Sequence, residues 1–316
     1  MLPIATLTVN PAVDISVSTQ RVMPTRKLRC HDTKRDPGGG GINVARVVKR
    51  LGGDVVSIYP AGGSSGSVLT RLIGKEGLNA RVIPIADETR EDFTVLDEEA
   101  REQYRFVLPG PVLRESEWTQ CLAAIESANA TSGFVCASGS LAPGIPADFY
   151  AGFAAGARRT RQRAVLDASG KALEEALKAP LYLIKPNLQE LSELVGAELG
   201  TEADQLTACR SLIGRGMVEM IALTLGADGA LLVAKERALR ARCAPMTPVS
   251  AVGAGDSFTG GMLWALASDM ELSEALRYGV AAGTAAILAK GTELCRAADV
   301  HRLLQHIVVT DISPSA

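Results

Sequence analysis

The chain has 316 residues, enough for about two average domains or for one large α/β domain with an insertion. Its 33 basic and 35 acidic residues leave a net charge of -2, which argues against a nucleic-acid binder that works by neutralising phosphates. Apolar residues make up 47% but aromatics only 4%, favouring packed helices and buried parallel strands over an aromatic-rich β-sandwich.

The first residues, Met1 to Val9, carry no basic stretch and meet Asn10-Pro11 too early for a signal sequence, so they predict a first strand over Ile4–Val9. Further strands are expected at Val55–Tyr59, Gly133–Ser138, Ala164–Asp167, Tyr182–Lys185 and Ile221–Leu225, with Leu231–Ala234 as a hairpin partner. Helical spacing alternates with them at Ile42–Leu51, Ser67–Glu76, Glu115–Asn129, Ala147–Arg161, Leu188–Val195 and Glu202–Arg215. This alternation implies an α/β fold with a mostly parallel sheet covered on both faces, and ligands at the carboxyl ends of its strands. Residues 12–35 and 88–108 interrupt the rhythm; Phe93–Leu96 and Gln103–Val107, around a polar turn, predict a hairpin. Such segments suit a small sheet serving as a lid or an oligomer contact. The tail after Val309 is expected to be disordered.

No apolar run reaches the ~18 residues of a membrane span; the longest, Val280–Ala289, is broken by Gly283 and Thr284. Six dispersed cysteines without a C-x-x-C pair predict reduced thiols in the cytoplasm. His301 and His306, five apart on an expected terminal helix, lack the i, i+4 spacing of a zinc site.

Glycine, with 31 residues, exceeds average usage of ~7%, and its placement is informative. Gly253-Ala254-Gly255-Asp256 opens into an apolar helical pattern, Phe258–Ala267, so unpaired amides at the helix start can bind an anion. Asp256 at that positive end can take a proton from an attacking hydroxyl while the amides hold transferring charge; an ordinary N-cap explains an Asp there equally well. Pro37 to Arg46 forms a second glycine-to-helix junction, with Gly38–Gly41 and Asn43. It lacks G-x-G-x-x-G, a directly preceding strand and a suitably spaced acid, which argues against a nicotinamide site; a polyhydroxylated ligand against bare backbone, or a hinge, is expected. Asn187 and Glu190 share a first helical turn, suited to magnesium and its waters or to a capping box. Thr224 to Gly229 follows a strand end, as a nucleotide site or an ordinary turn would. Lys27, Arg29, Arg90 and Arg105 lie in the irregular segments and could clamp a phosphate.

Together these residues resemble the PfkB family of ribokinase-like sugar kinases, from Ile4 to about Val308, with Gly253–Asp256 and Gly38–Arg46 matching its two hallmark motifs in order. Thr6-Leu7-Thr8, Pro11, Asp14, Lys27–Cys30 and Gln103–Val107 resemble the branch that acts on sugar phosphates. The resemblance implies a single three-layer α/β/α domain over residues 1–316 with a small β-sheet lid. It also implies ATP-dependent phosphorylation of the C1 hydroxyl of fructose 6-phosphate, with Asp256 as base and Mg²⁺ on the ATP phosphates. Tagatose 6-phosphate and fructose 1-phosphate are the alternative substrates; a non-catalytic sugar-phosphate sensor is the remote one. By the same resemblance Asp14, Gly39, Gly40 and Asn43 face sugar hydroxyls, while Arg90, Arg105 and Lys27 face the phosphate. Lys27 would come from the partner of a homodimer formed through the lid sheets. ATP would lie along Lys185, Asn187, Thr224, Gly226, Gly229 and Gly253–Gly255. Potassium would sit on carbonyls near Ser250, Val252, Ala286, Ala289 and Gly291, although Ala289 and Glu293 replace the polar and basic residues of the pattern. Pro248 likewise stands where Ser is expected at the nucleotide.

Overall fold

The computed structural model describes residues 1–128, 133–244, 246–247, 250, 252–289 and 293–313. In chain order β1 (Ile4–Leu7), β2 (Ala12–Thr19) and β3 (His31–Gly38) precede α1 (Gly40–Arg50), β4 (Val55–Ala61), α2 (Gly63–Lys75) and β5 (Asn79–Pro84). Then come β6 (Arg90–Asp97), β7 (Glu102–Phe106), α3 (Glu115–Ala128), β8 (Phe134–Ser138), α4 (Phe149–Arg159), β9 (Arg163–Asp167), α5 (Gly170–Ala176) and β10 (Leu181–Ile184). The remainder holds α6 (Leu188–Val195), α7 (Glu202–Gly214), β11 (Val218–Thr224), β12 (Ala230–Ala234), β13 (Ala238–Cys243), α8 (Ala254–Ala267), α9 (Leu272–Ile287), α10 (Ala297–Leu304) and β14 (Ile307–Asp311).

A ten-stranded sheet has the order β14-β13-β12-β11-β10-β9-β8-β1-β4-β5. Strands from β11 to β5 run parallel, and β12, β13 and β14 are antiparallel additions. The side-chain period of two sorts the apolar strand residues between two cores. Phe134, Cys136 and Val165 meet α1, α8 and α9 on one face, while Val135, Ala137 and Leu166 meet α3, α4 and α7 on the other. Every central strand is therefore apolar on both sides, which is why these segments read as short continuous runs.

The chain builds outward from β1 to β4 and β5, then returns to the other side of β1 with β8, placing a topological switch point between β1 and β8. A second sheet, ordered β3-β2-β6-β7, comes from the two interrupting segments. Its β6–β7 pair is the antiparallel hairpin expected there.

Three expectations are corrected. A strand does precede the Gly38–Arg46 motif, but β3 belongs to the small sheet, so the junction is still not a Rossmann turn. Residues after Val309 continue a strand: β14 pairs with β13, and the Ile312 amide bonds the Ala238 carbonyl at 2.8 Å. Composition missed it because β13 supplies partners that a polar tail lacks by itself. His306 lies beyond α10, not on the helix that carries His301.

Candidate active site

The site forms where the starts of α1 and α8 converge on the ends of β1 and β8. Thr8 Oγ1 accepts the Ile42 amide at 2.8 Å and anchors α1 against β1. A Cβ on Gly40 would collide with Ser138, and one on Gly41 with the Leu7 carbonyl, so only bare backbone permits this approach. At the second junction Gly253 is the N-cap of α8, with φ 73° in the left-handed region. The N-cap reading of Asp256 is thereby corrected: Asp256 is the third residue of the helix, inside its first turn. The amides of Ala254, Gly255 and Asp256 are left without helical partners and point outward as an anion hole.

Asp256 Oδ2 accepts a hydrogen bond from Asn43 Nδ2 at 2.9 Å. Burial pushes its carboxyl up to about 6, aided by the like charge of Asp167, while Asn43, Lys185 and Ser138 act in the opposite direction. Asp167 ends β9 and pairs with Lys185 Nζ at 3.2 Å; its other oxygen receives Thr259 Oγ1 at 3.3 Å. Burial pulls the Lys185 ammonium down, but Asp167, joined by Glu190 and Asp256, raises the group above its usual range. A Cβ on Gly255 would stand 3.4 Å from Lys185 Nζ, so the lysine charge lies beside the anion hole. A cleft of about 630 Å³ opens here, lined by Ser138, Gly139, Ser140, Asp167, Glu190 and Asp256 among others.

The small sheet presents a charged face. Asp14 is in register with Asp36 on one side and Asp92 on the other, and Thr94 with Arg105 one row along. Burial first, then the Asp92 charge, pushes the Asp14 carboxyl up to about 7 against the pull of Arg105, Arg90 and Arg46. Arg90 donates to the Asn10 carbonyl and the Leu108 carbonyl, each at 3.0 Å, and pairs with Asp92 at 3.3 Å. Gln103 reaches from β7 to within 3.4 Å of Ser250 Oγ, joining the small sheet to the loop before α8.

The structure thus gathers Gly39, Gly40, Asn43, Lys185 and Gly253–Asp256, with Asp14, Arg90 and Arg105 on one face of the small sheet. Lys27 is exposed on the β2–β3 connection and bonds none of them among the described residues. Asn187 and Glu190 form a reciprocal capping box, both bonds 2.8 Å, with Glu190 also facing the cleft. Thr224 bridges to Asn187, and Gly226 and Gly229 shape the following turn with positive φ. Ser250 bonds the Ile287 carbonyl at 3.2 Å, bringing residues 250 and 252 to the end of α9 near Ala286 and Ala289. Gly291 and Pro248 lie outside the described residues. Sequence reasoning missed Asp167, Arg46 and Asp92; a lone acid ending an apolar strand was the available signal for Asp167.

The pfkB family carbohydrate kinase model matches residues 7–299. The chain belongs to the pfkB family. It is 47% identical over 302 residues to the ATP-dependent 6-phosphofructokinase isozyme 2 of Mycobacterium tuberculosis, covering 96% of this chain and 89% of that one. Against the enzyme of the same name from Escherichia coli K12 it is 38% identical over 311 residues, covering 97% and 99%. Solved structures of phosphofructokinase-2 from E. coli superpose with TM-scores of 0.93 for a potassium complex and 0.91 for a fructose-6-phosphate complex, at 38% and 37% identity. Both cover 96% of this chain and 99% of the other. The mostly parallel sheet with helices on both sides is the ribokinase-like fold.

Proposed function

We propose that the protein transfers the γ-phosphoryl group of ATP to the C1 hydroxyl of fructose 6-phosphate, giving fructose 1,6-bisphosphate and ADP. The observation that carries the reading is Asp256 held by Asn43 at the anion hole of α8, across from a sheet face bearing Asp14, Arg90 and Arg105. Asp256 takes the hydroxyl proton as the C1 oxygen bonds phosphorus and the bond to the ADP oxygen breaks. The amides of Ala254 and Gly255 and the Lys185 charge hold the negative charge of the transferring group. Asp14 and the backbone at Gly39 and Gly40 meet sugar hydroxyls, with Asn43 beside them, and Arg90 and Arg105 the sugar's phosphate. ATP follows Asn187, Thr224 and the Gly226–Gly229 turn to the hole.

Oxygen donors facing the cleft suit a hard cation, so Glu190, with Asn187 beside it, would hold Mg²⁺ and its waters, and the ion would neutralise ATP phosphate charge. The proposal includes potassium on carbonyls of residues 250, 252, 286 and 289, supported by the contact of Ser250 with the end of α9. We assign residues 1–316 to one α/β domain whose lid is the small sheet. Exposed Phe93, Tyr104 and Phe106 on that sheet support a homodimer through the lids, with Lys27 reaching the partner's phosphate. Six unpaired cysteines fit a cytoplasmic enzyme; no helix among the described residues is long and apolar enough to cross a membrane.

Initial rates with fructose 6-phosphate, tagatose 6-phosphate and fructose 1-phosphate under saturating Mg-ATP test the assignment. The highest kcat/KM is expected for the first, and a preference for either other substrate overturns it. Sedimentation equilibrium tests the dimer: Phe106→Ser should raise the monomer fraction, and a monomeric parent protein overturns that part.

A further inference from the structure

Arg46 lies nearly two turns into α1, 2% exposed, and beyond its pull on the Asp14 carboxyl it has no part in the chemistry above. Its guanidinium is a donor on every side and accepts nothing. It therefore sorts its neighbours: Glu76 at the end of α2 receives Nε at 2.9 Å and Nη2 at 2.6 Å, and the Pro37 carbonyl receives Nη1 at 3.1 Å. The same Nη1 reaches Asn43 Oδ1 at 3.1 Å. An amide has one acceptor end and one donor end. With Oδ1 committed to Arg46, Nδ2 must face the other way, where it meets Asp256 Oδ2 at 2.9 Å.

We propose that Arg46 is a positioning residue for the phosphoryl-transfer base: it locks the Asn43 amide so that Asn43 always donates to Asp256 and, with the Ser138 bond to the same carboxylate, keeps it in the ionised form that can take the substrate proton. Glu76 is the anchor that keeps the guanidinium in place from the far side of α1. The bond from Asn43 favours the ionised carboxylate, the form that can act as a base. A reversed amide would turn Oδ1 toward Asp256, placing two acceptors face to face and favouring the protonated acid. The other groups bearing on Asp256 are Asp167 from β9, Lys185 after β10, and Ser138 and Cys136 from β8. Among the described residues none of them contacts the Asn43 amide, so Arg46 and Asp256 set its orientation.

The inference rests on Asp256 being the base, and its test is separable from the choice of substrate. The titration of the Asp256 carboxyl carbon, assigned by subtraction of the Asp256→Asn spectrum, is followed by NMR in the substrate-free protein. In Arg46→Lys the charge remains but one ammonium cannot span Glu76, Pro37 and Asn43 together. Arg46→Met/Glu76→Gln removes the ion pair without leaving a buried unpaired charge. Both should move the Asp256 midpoint upward by about half a unit to one unit, and lower kcat about tenfold with KM for ATP within about threefold. Glu76→Gln, which weakens the anchor but keeps Arg46, should move the midpoint less than half as far even where it lowers the melting temperature more. An unmoved midpoint in a folded Arg46 variant overturns the proposal. If the double variant does not fold, Arg46→Lys decides. Failure of the parent protein to phosphorylate fructose 6-phosphate would count against the substrate assignment alone.

Discussion

Asp14 and Asp92 stand directly opposite each other on the parallel strands β2 and β6, two carboxylates on one face of the small sheet. Burial and the Asp92 charge together push Asp14 up to about 7. Neutralising the neighbour in Asp92→Asn should let Asp14 ionise at lower pH. The corresponding step in the pH profile of kcat/KM for the sugar phosphate is expected to fall by about one unit. A step left in place would show that Asp92 does not act on Asp14.

The same pair makes the unliganded protein sensitive to pH. A carboxyl raised from 3.8 to about 7 binds its proton more tightly in the folded chain than in the unfolded one. Its stabilising contribution is full below about 3.8 and is lost as pH rises through about 7. Asp256, raised to about 6, acts in the same sense over a narrower window. Melting temperatures of Asp92→Asn should therefore fall less steeply between about pH 5 and 7.5 than those of the parent protein. Identical slopes would contradict the coupling.

Asp256→Asn keeps the shape of the site and removes the proposed base. Turnover should drop about 10²- to 10⁴-fold with a smaller change in KM. In the parent enzyme kcat/KM should carry an acid limb near 6, because the ionised carboxylate is the active form. Near-normal turnover in the variant would remove Asp256 from the chemistry.

Arg90 is tied to Asn10, Leu108 and Asp92, whereas Arg105 is exposed on β7. Truncation of either to Ala should raise KM for the sugar phosphate about tenfold or more and leave KM for ATP within about threefold. Arg90→Ala should also lower thermal stability, since it frees two carbonyls and a carboxylate. Equal effects on both substrates would argue against a phosphate clamp.

Gly253 holds φ 73° at the head of α8, and a Cβ there would meet the Leu294 side chain at 2.5 Å. Gly253→Ala should cost about 1–3 kcal/mol in denaturant unfolding and lower kcat by tilting the amides away from the transferring group. Unchanged unfolding and turnover would show that the turn tolerates a side chain.

Much of the architecture was legible because the central strands are short, apolar and separated by helical spacing, as β8 and β9 illustrate. The added edge was not. β13 carries Arg240 and Arg242, and β14 offers only Ile307–Val309 before Thr310-Asp311, so each apolar stretch is broken or short and each became a strand through its partner. Asn187 and Glu190 admitted both a capping box and a metal role in sequence; the reciprocal hydrogen bonds establish the first and leave Glu190 facing the cleft for the second.

Local chemistry written into the chain determined the two glycine-to-helix junctions, the aliphatic parallel core and the basic residues of the interrupting segments, because glycine freedom and hydrophobic period act over a few residues. Tertiary structure alone decided that Asn43 meets Asp256 from 213 positions away, that Asp167 pairs with Lys185, and that Asp14, Asp36 and Asp92 share one row. Charge interactions depend on distance in space, and strand order and register set that distance.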